Sequence, residues 1–296
     1  MSTLFISGLT NVETTVAIPE FPLTYAPVHY PFHGIQSTVS GVGVNVAKAL
    51  HRLGHSVQLH SLIGPDLAGD TVMMALEQTG IPAHGMSRTL SATPQSVILY
   101  DPDGRRQIQV DLKECQEMSL PDGYESALQQ CELAILCNIN FSRPLLATAK
   151  RLNKLIACDV HVLWDIDDDY NREFMAAADI LFLSDEGLDG RPAEAFIRSL
   201  AQRYHNRFII MGCGRNGALL YQSTLDEFFH APAIAPRGVI NTIGAGDALF
   251  SAFIHEWLQH GDPRLALRRA CLFAGWKIGT VGAADGLPDV KEWQQL

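Results

Sequence analysis

The 296-residue chain has no CxxC pair among its six cysteines (Cys115, Cys131, Cys137, Cys158, Cys213 and Cys271), and most of them sit in apolar runs. Reduced core cysteines behave this way, so neither a zinc framework nor a disulfide scaffold is expected. No apolar run reaches membrane-spanning length, and no basic lead or cleavage signal precedes the strand-like residues 4–8. The expectation is a cytoplasmic protein. A basic surplus is missing too: 22 Lys and Arg stand against 32 Asp and Glu, a formal charge of −10. This argues against a generic binder of nucleic acid or of an anionic membrane, but leaves an anionic substrate free to bind in a local pocket. No G-x-S-x-G elbow occurs, which sets serine hydrolysis well down. Internal repeats, low-complexity tracts and long linkers are also lacking.

What is present is an ordinary globular composition, 47% hydrophobic and 18% charged, in a chain long enough to bury a large core. Strands are predicted at residues 4–8, 57–63, 133–137, 155–158, 180–183 and 208–211. Helical stretches lie between them, at 46–54, 64–79, 144–152, 171–177 and 192–204. This βαβ rhythm predicts an α/β fold around a parallel sheet. Two stretches interrupt it. Residues 14–18 and 28–32 read as short strands separated by prolines, and 95–100 with 106–110 read as a hairpin around Asp101-Pro102-Asp103-Gly104. They predict a small β lid, made by insertions at about 12–39 and 93–112, on one domain spanning 1–296. An antiparallel pair at 218–221 and 228–231 and two closing helices complete the pattern.

The densest chemical signal is Asn241-Thr242-Ile243-Gly244-Ala245-Gly246-Asp247, which opens a helix with Ala248, Leu249, Ala252 and Phe253 at helical spacing. Amides in a first helical turn lack intrahelical partners and point outward with the positive end of the helix dipole, so they can hold a phosphate or an oxyanion. An aspartate in the same turn can take the proton of an attacking hydroxyl. A helix cap among turn-forming glycines explains the same four residues equally well. A second glycine-rich helix opening, Ser40-Gly41-Val42-Gly43-Val44-Asn45, gives backbone access and, at Asn45, a donor and an acceptor for a polyhydroxy ligand. Tight packing of helix on strand is the competing explanation for its glycines.

Three other motifs are decoys. Gly212-Cys213-Gly214-Arg215-Asn216-Gly217 matches GxGxxG but precedes a strand-like run, so it reads as a turn beside a nucleotide rather than a dinucleotide fingerprint. Asp165-Ile166-Asp167-Asp168-Asp169 begins like a calcium loop, but Tyr170 occupies the required glycine position. In His255-Glu256-Trp257-Leu258-Gln259-His260 the second histidine comes one residue too late for a zinc protease.

Taken together and in order, the two glycine-rich helix openings, the lid insertions and the terminal Gly244-Ala245-Gly246-Asp247 resemble the ribokinase-like, phosphofructokinase-B type (PfkB) family of sugar and nucleoside kinases. The resemblance covers nearly the whole chain. It implies a three-layer α/β/α fold with a mostly parallel central sheet and a small β-sheet lid. It implies ATP- and Mg²⁺-dependent transfer of the γ-phosphoryl group to a primary hydroxyl of a sugar or nucleoside. At matching positions, Asp247 is the implied base and the amides of Gly244, Ala245 and Gly246 the anion hole. Asn11, Glu13, Gly41, Gly43 and Asn45 are placed around the acceptor, Gly214, Gly217 and Thr242 beside ATP, and Glu186 at Mg²⁺ through water. A monovalent cation such as K⁺ and a homodimer formed through the lid are further implications. Departures from the pattern are Asn241 and Glu13 where Asp is usual, Ser40 for a glycine, and Ser184-Asp185-Glu186 without the asparagine of an Asn-x-x-Glu element. The first and last of these motivate the alternative reading, a non-catalytic sugar- or nucleoside-binding regulatory protein on the same fold.

Overall fold

A computed structural model describes residues 1–296. From the N-terminus the chain forms β1 (Thr3–Ser7), β2 (Asn11–Ala17), β3 (Ile35–Ser40), α1 (Val42–Arg52), β4 (Ser56–Leu62), α2 (Leu67–Thr79), β5 (Met86–Ser87), β6 (Gln95–Tyr100) and β7 (Arg106–Asp111). There follow α3 (Tyr124–Gln130), β8 (Leu133–Leu136), α4 (Arg143–Arg151), β9 (Leu155–Val162), α5 (Arg172–Ala177), β10 (Ile180–Ser184) and α6 (Ala193–Tyr204). The last part holds β11 (Phe208–Gly212), β12 (Ala218–Gln222), β13 (Glu227–Ala231), α7 (Ala245–His260), α8 (Pro263–Lys277) and α9 (Val290–Gln295).

Nine strands form the main sheet in the order β13-β12-β11-β10-β9-β8-β1-β4-β5. Every pairing from β5 to β11 is parallel, and only β12 and β13 run antiparallel at one edge. The strands are near-continuous apolar runs because both faces are covered, and their period of two sorts side chains between two cores. Leu4, Ile6, Leu133, Ile135, Ile180 and Phe182 join α1, α2, α7 and α8 in a 40-residue cluster. Phe5, Ala134, Leu136, Leu181 and Leu183 join α3 to α6 in a 33-residue cluster on the other face. This is the expected three-layer α/β/α arrangement.

β1 lies between β4 and β8, where the strand order reverses direction, and ligands of open parallel sheets bind at the carboxyl ends of strands flanking such a point. The chain leaves β1 at Gly8 and climbs into a second sheet of order β3-β2-β6-β7, built from the two interrupting stretches. Gly8 and Gly43 meet back to back: a Cβ on Gly43 would lie 2.6 Å from the Gly8 carbonyl carbon, and one on Gly8 would lie 2.6 Å from Cys137 Sγ. The amide of Gly43 donates to Leu9 O at 3.0 Å. This close approach brings the first turn of α1 to the end of β1. Further along, α7 is fixed from behind by buried Glu256, which accepts from Arg269 Nε at 2.8 Å and Trp293 Nε1 at 2.6 Å.

Several expectations need correction. Residues 28–32 form no strand; the lid strand is Ile35–Ser40, since Pro31 removes a ladder donor within this stretch and Pro19, Pro22 and Pro27 break up the chain before it. Asn11 and Glu13 open β2, ahead of the strand expected at 14–18. The helix expected from residue 46 starts at Val42, so the glycine-rich opening is largely its first turn. β9 continues to Val162, beyond the expected end. The periodicity gave no warning of the short α3 and α9. The Gly8–Gly43 contact has a direct consequence: Gly43→Ala forces backbone against backbone and is expected to cost about 2 kcal/mol of unfolding free energy, read from the denaturant midpoint.

Candidate active site

Four segments deliver polar side chains to one place, the last of them some two hundred residues from the others. The start of β2 supplies Asn11 and Glu13, the end of β3 supplies Ser40, the first turn of α1 supplies Asn45, and the first turn of α7 supplies Asp247. Glu13, Ser40, Asn45 and Asp247 form a continuous hydrogen-bonded chain. Ser40 Oγ donates to Glu13 Oε2 at 3.1 Å, Asn45 Nδ2 donates to Ser40 Oγ at 3.2 Å, and Asn45 Nδ2 also donates to Asp247 Oδ2 at 2.7 Å. Asn11 Nδ2 donates to Ser96 Oγ of β6 at 2.9 Å, tying the second lid insertion to the first. Thr10 Oγ1, Asn11 Oδ1 and Glu13 Oε1 are buried without a hydrogen-bond partner. Buried acceptors of this kind are costly to leave unmatched and suit a ligand bearing hydroxyl donors.

The electrostatics single out Asp247. Burial pushes its carboxyl up to about 6, against the Asn45 hydrogen bond, and the nearby Asp159 adds to the rise. Burial likewise raises Glu13, opposed by the Ser40 hydrogen bond, and raises Asp159, opposed by the neighbouring His161. Asp159 is buried on β9 and accepts from the His161 amide at 2.8 Å. A carboxylate poised near neutrality at a helix N-terminus can accept a proton from a hydroxyl.

The same turn presents donors. Gly244 is left-handed at φ 74° and its missing Cβ admits Ala283 O, which a Cβ would approach to 2.1 Å. This geometry launches the 16-residue α7. The Ala245 amide is turned inward and donates to Thr242 O at 3.2 Å, whereas the amides of Gly244 and Gly246 have no acceptor in the protein. Above this turn reaches Arg106 of β7. Its Nη1 donates to Thr242 O at 3.1 Å and Thr242 Oγ1 at 3.2 Å, and its Nη2 lies 3.5 Å from Glu186 Oε1. Lid, helix opening and the exposed Glu186 thus share one guanidinium.

The other expected glycines, Gly214 apart, are fixed by local packing. The glycine character of Gly41 and Gly43 serves chain packing: Gly41 has φ 102° and lies against Leu9 O, and Gly43 lies against Gly8. Residues 214–216 form a 3-10 turn followed by β12, so no helix follows the GxGxxG match. Gly214 is open on its Cα side, whereas Gly217 packs against Ala231 O. Ser96, Asp159, His161, Arg106 and Lys277 escaped the sequence reading as site residues. Asp159 alone carried a signal, its place at the end of a predicted strand. A surface cavity of about 470 Å³ lined by His60, His84 and Tyr124 shares none of these residues.

The raised Asp247 carboxyl has a thermodynamic signature. Its folded-state value lies above the ordinary one of 3.8, so the fold loses stability as pH rises from about 4 through about 6, a cost on the order of 3 kcal/mol. Asp247→Asn removes that cost while keeping an acceptor for Asn45. The variant is expected to melt roughly 4 °C higher than the parent at neutral pH, the gap closing under acid conditions where Asp247 is protonated. Thermal melts across pH check this.

A sequence profile described as pfkB family carbohydrate kinase matches residues 2–290. The chain is 25% identical over 274 residues to a deoxyribokinase of Salmonella typhi, covering 86% of each protein. It is 27% identical over 293 residues to an ATP-dependent ribose-1-phosphate kinase of Halopiger xanaduensis, covering 94% of this chain and 92% of that one. A solved structure of a microbiome-derived acarbose kinase superposes with a TM-score of 0.88 at 26% identity, over 100% of this chain and 98% of the other. The fold is shared with an Arabidopsis thaliana ribokinase complexed with ribose and ATP, at a TM-score of 0.82 and 18% identity over 99% and 98% of the two chains. With two glycine-rich helix openings, a lidded parallel sheet and a profile match over almost its entire length, the chain belongs to the pfkB family of carbohydrate kinases, phosphotransferases that use an alcohol group as acceptor.

Proposed function

We propose that the protein transfers the γ-phosphoryl group of ATP to a primary hydroxyl of a sugar, with nucleosides as the second acceptor class. The hydrogen-bonded chain Glu13–Ser40–Asn45–Asp247 carries this reading, because it joins the polar groups of the lid root to a carboxylate at a helix N-terminus. Asp247 takes the hydroxyl proton as the new O–P bond forms and ADP leaves. The amides of Gly244 and Gly246 face the charge of the transferring group, and that of Ala245 joins them when its contact with Thr242 O opens. Arg106 adds a cation from the lid, so that closure and charge stabilisation occur together.

Asn11, Glu13, Asn45 and the backbone at Gly41 and Gly43 surround the acceptor. The cluster of Asn11, Glu13, Ser40, Asn45 and Ser96 contains no aromatic ring, and its orphan acceptor oxygens suit a polyol more than a stacked base. Gly214, Gly217 and Thr242 flank ATP. Mg²⁺, when bound, would supply positive charge against the phosphates of ATP. Glu186, 60% exposed, would hold it through water, and no cluster of three or more metal-ligating side chains exists, as suits an ion that stays largely on phosphate oxygens and water. The lid exposes Ile35, Val97, Ile108 and Val110, and we assign this apolar surface to a second copy of the chain.

The acceptor is found by measuring ADP release over a panel of pentoses, hexoses and nucleosides. Acceptor-dependent turnover is expected, with Asp247→Asn lowering kcat by roughly 10³-fold; undiminished turnover in the variant removes Asp247 as base. Sedimentation is expected to give twice the chain mass of 32.5 kDa, and Ile108→Lys to return the monomer. A monomeric parent protein contradicts the lid assignment.

A further inference from the structure

Lys277, the last residue of α8, is completely buried, and no step above uses it. Its ammonium donates to Ile243 O, and Asn241 Oδ1 stands 3.4 Å away. Ile243 is the residue just before Gly244, so this cation sits under the phosphate-binding turn. The surrounding network is directional. Asn241 Oδ1 also accepts from the Ile243 amide at 3.1 Å, while Asn241 Nδ2 donates to Val281 O at 2.6 Å. The main chain is pinned to the same place, since the amides of Ile240 and Asn241 both donate to Ile278 O, at 2.8 and 3.3 Å.

This network accounts for asparagine at position 241. One end of the side chain must accept, from the ammonium and the Ile243 amide, and the other must donate, to Val281 O. An aspartate would turn its second oxygen against that carbonyl. The arrangement also bears on the monovalent cation that the family resemblance suggests. The polar oxygens at this turn, Ile243 O and Asn241 Oδ1, already face a positive charge that belongs to the chain, and a second cation would be repelled by it at contact distance.

We propose that the Lys277 ammonium is a tethered monovalent cation for the phosphate-binding turn, so that the enzyme needs no free K⁺. Burial lowers Lys277 to about 8, countered by Asp247, Asp285 and Glu13, which keeps it charged at neutral pH. The ammonium holds Ile243 O away from the anion site and opposes the negative charge that collects around the turn. Lys277 touches neither substrate nor reacting atoms and acts as a positioning residue through Ile243.

The inference rests on the kinase reading for its effect on turnover, but its cation-binding half is tested without catalysis. Wild-type protein is expected to show the same kcat, and without nucleotide the same melting temperature, in K⁺ as in tetramethylammonium at matched ionic strength. A K⁺-specific gain in either overturns the proposal. Lys277→Ala opens space and is expected to lose roughly tenfold or more in kcat, with partial recovery in K⁺ or ammonium and none in tetramethylammonium. Its ligand-free melting temperature is expected to rise with K⁺ concentration, as specific binding requires. Lys277→Met fills the space without charge and is expected to lose activity that no cation restores. Unchanged kcat in the folded alanine variant, or loss that no cation repairs, overturns the cation role. If the alanine variant does not fold, or no acceptor is turned over, the wild-type melting comparison decides alone.

Discussion

The hydrogen bond from Asn45 to Asp247 joins residues 202 positions apart, and the geometry of the site depends on it. It exists only because α1 and α7 lie side by side on one face of the sheet, each ending its first turn at the same height. Two glycine contacts set that height. Gly43 against Gly8 seats α1 on the end of β1, and Gly244 against Ala283 O starts α7 in a left-handed turn. In both, the space of a missing Cβ is filled by backbone, so the precision comes from main-chain contact rather than from flexible side chains.

The chemistry then follows from where charge is tolerated. Glu13, Asp159 and Asp247 are drawn out of water within one neighbourhood, and burial raises all three carboxyls. In a chain of net charge −10 such a group needs local compensation. Lys48 and Lys277 supply it from beneath, both with side chains largely withdrawn from solvent and both lowered by burial, and Arg106 supplies it from the lid. The lysines are built into helices of the body, whereas the arginine sits on an exposed strand of the lid. Glu186, exposed and paired with Arg106, belongs to the same rim.

Much of this architecture was legible before any coordinates. The β1, β4, β8, β10 and β11 runs are short, apolar and spaced by amphipathic stretches, a pattern that only a parallel sheet covered on both faces satisfies. The lid hairpin was legible because Asp101-Pro102-Asp103-Gly104 is strong turn chemistry between alternating strands. The second lid strand was misplaced because residues 28–32 have strand-like side chains but lack the donors that proline removes, and composition does not record donors. Asp247 and Asn45 were legible as helix-opening residues.

The sequence by itself determined the sheet and the two glycine-rich helix openings that carry Asn45 and Asp247, because each of these rests on local periodicity or on φ values that only a few residues adopt. Tertiary structure alone decided which polar groups meet. Ser40 reaches Glu13 through strand register, Asn45 reaches Asp247 through helix packing, Arg106 reaches Thr242 across a lid fold, and Lys277 reaches Ile243 by being buried at a helix end. These are contacts between residues with no spacing in common, and burial, which lowers Lys277 and raises Asp247, is a property of the packed molecule.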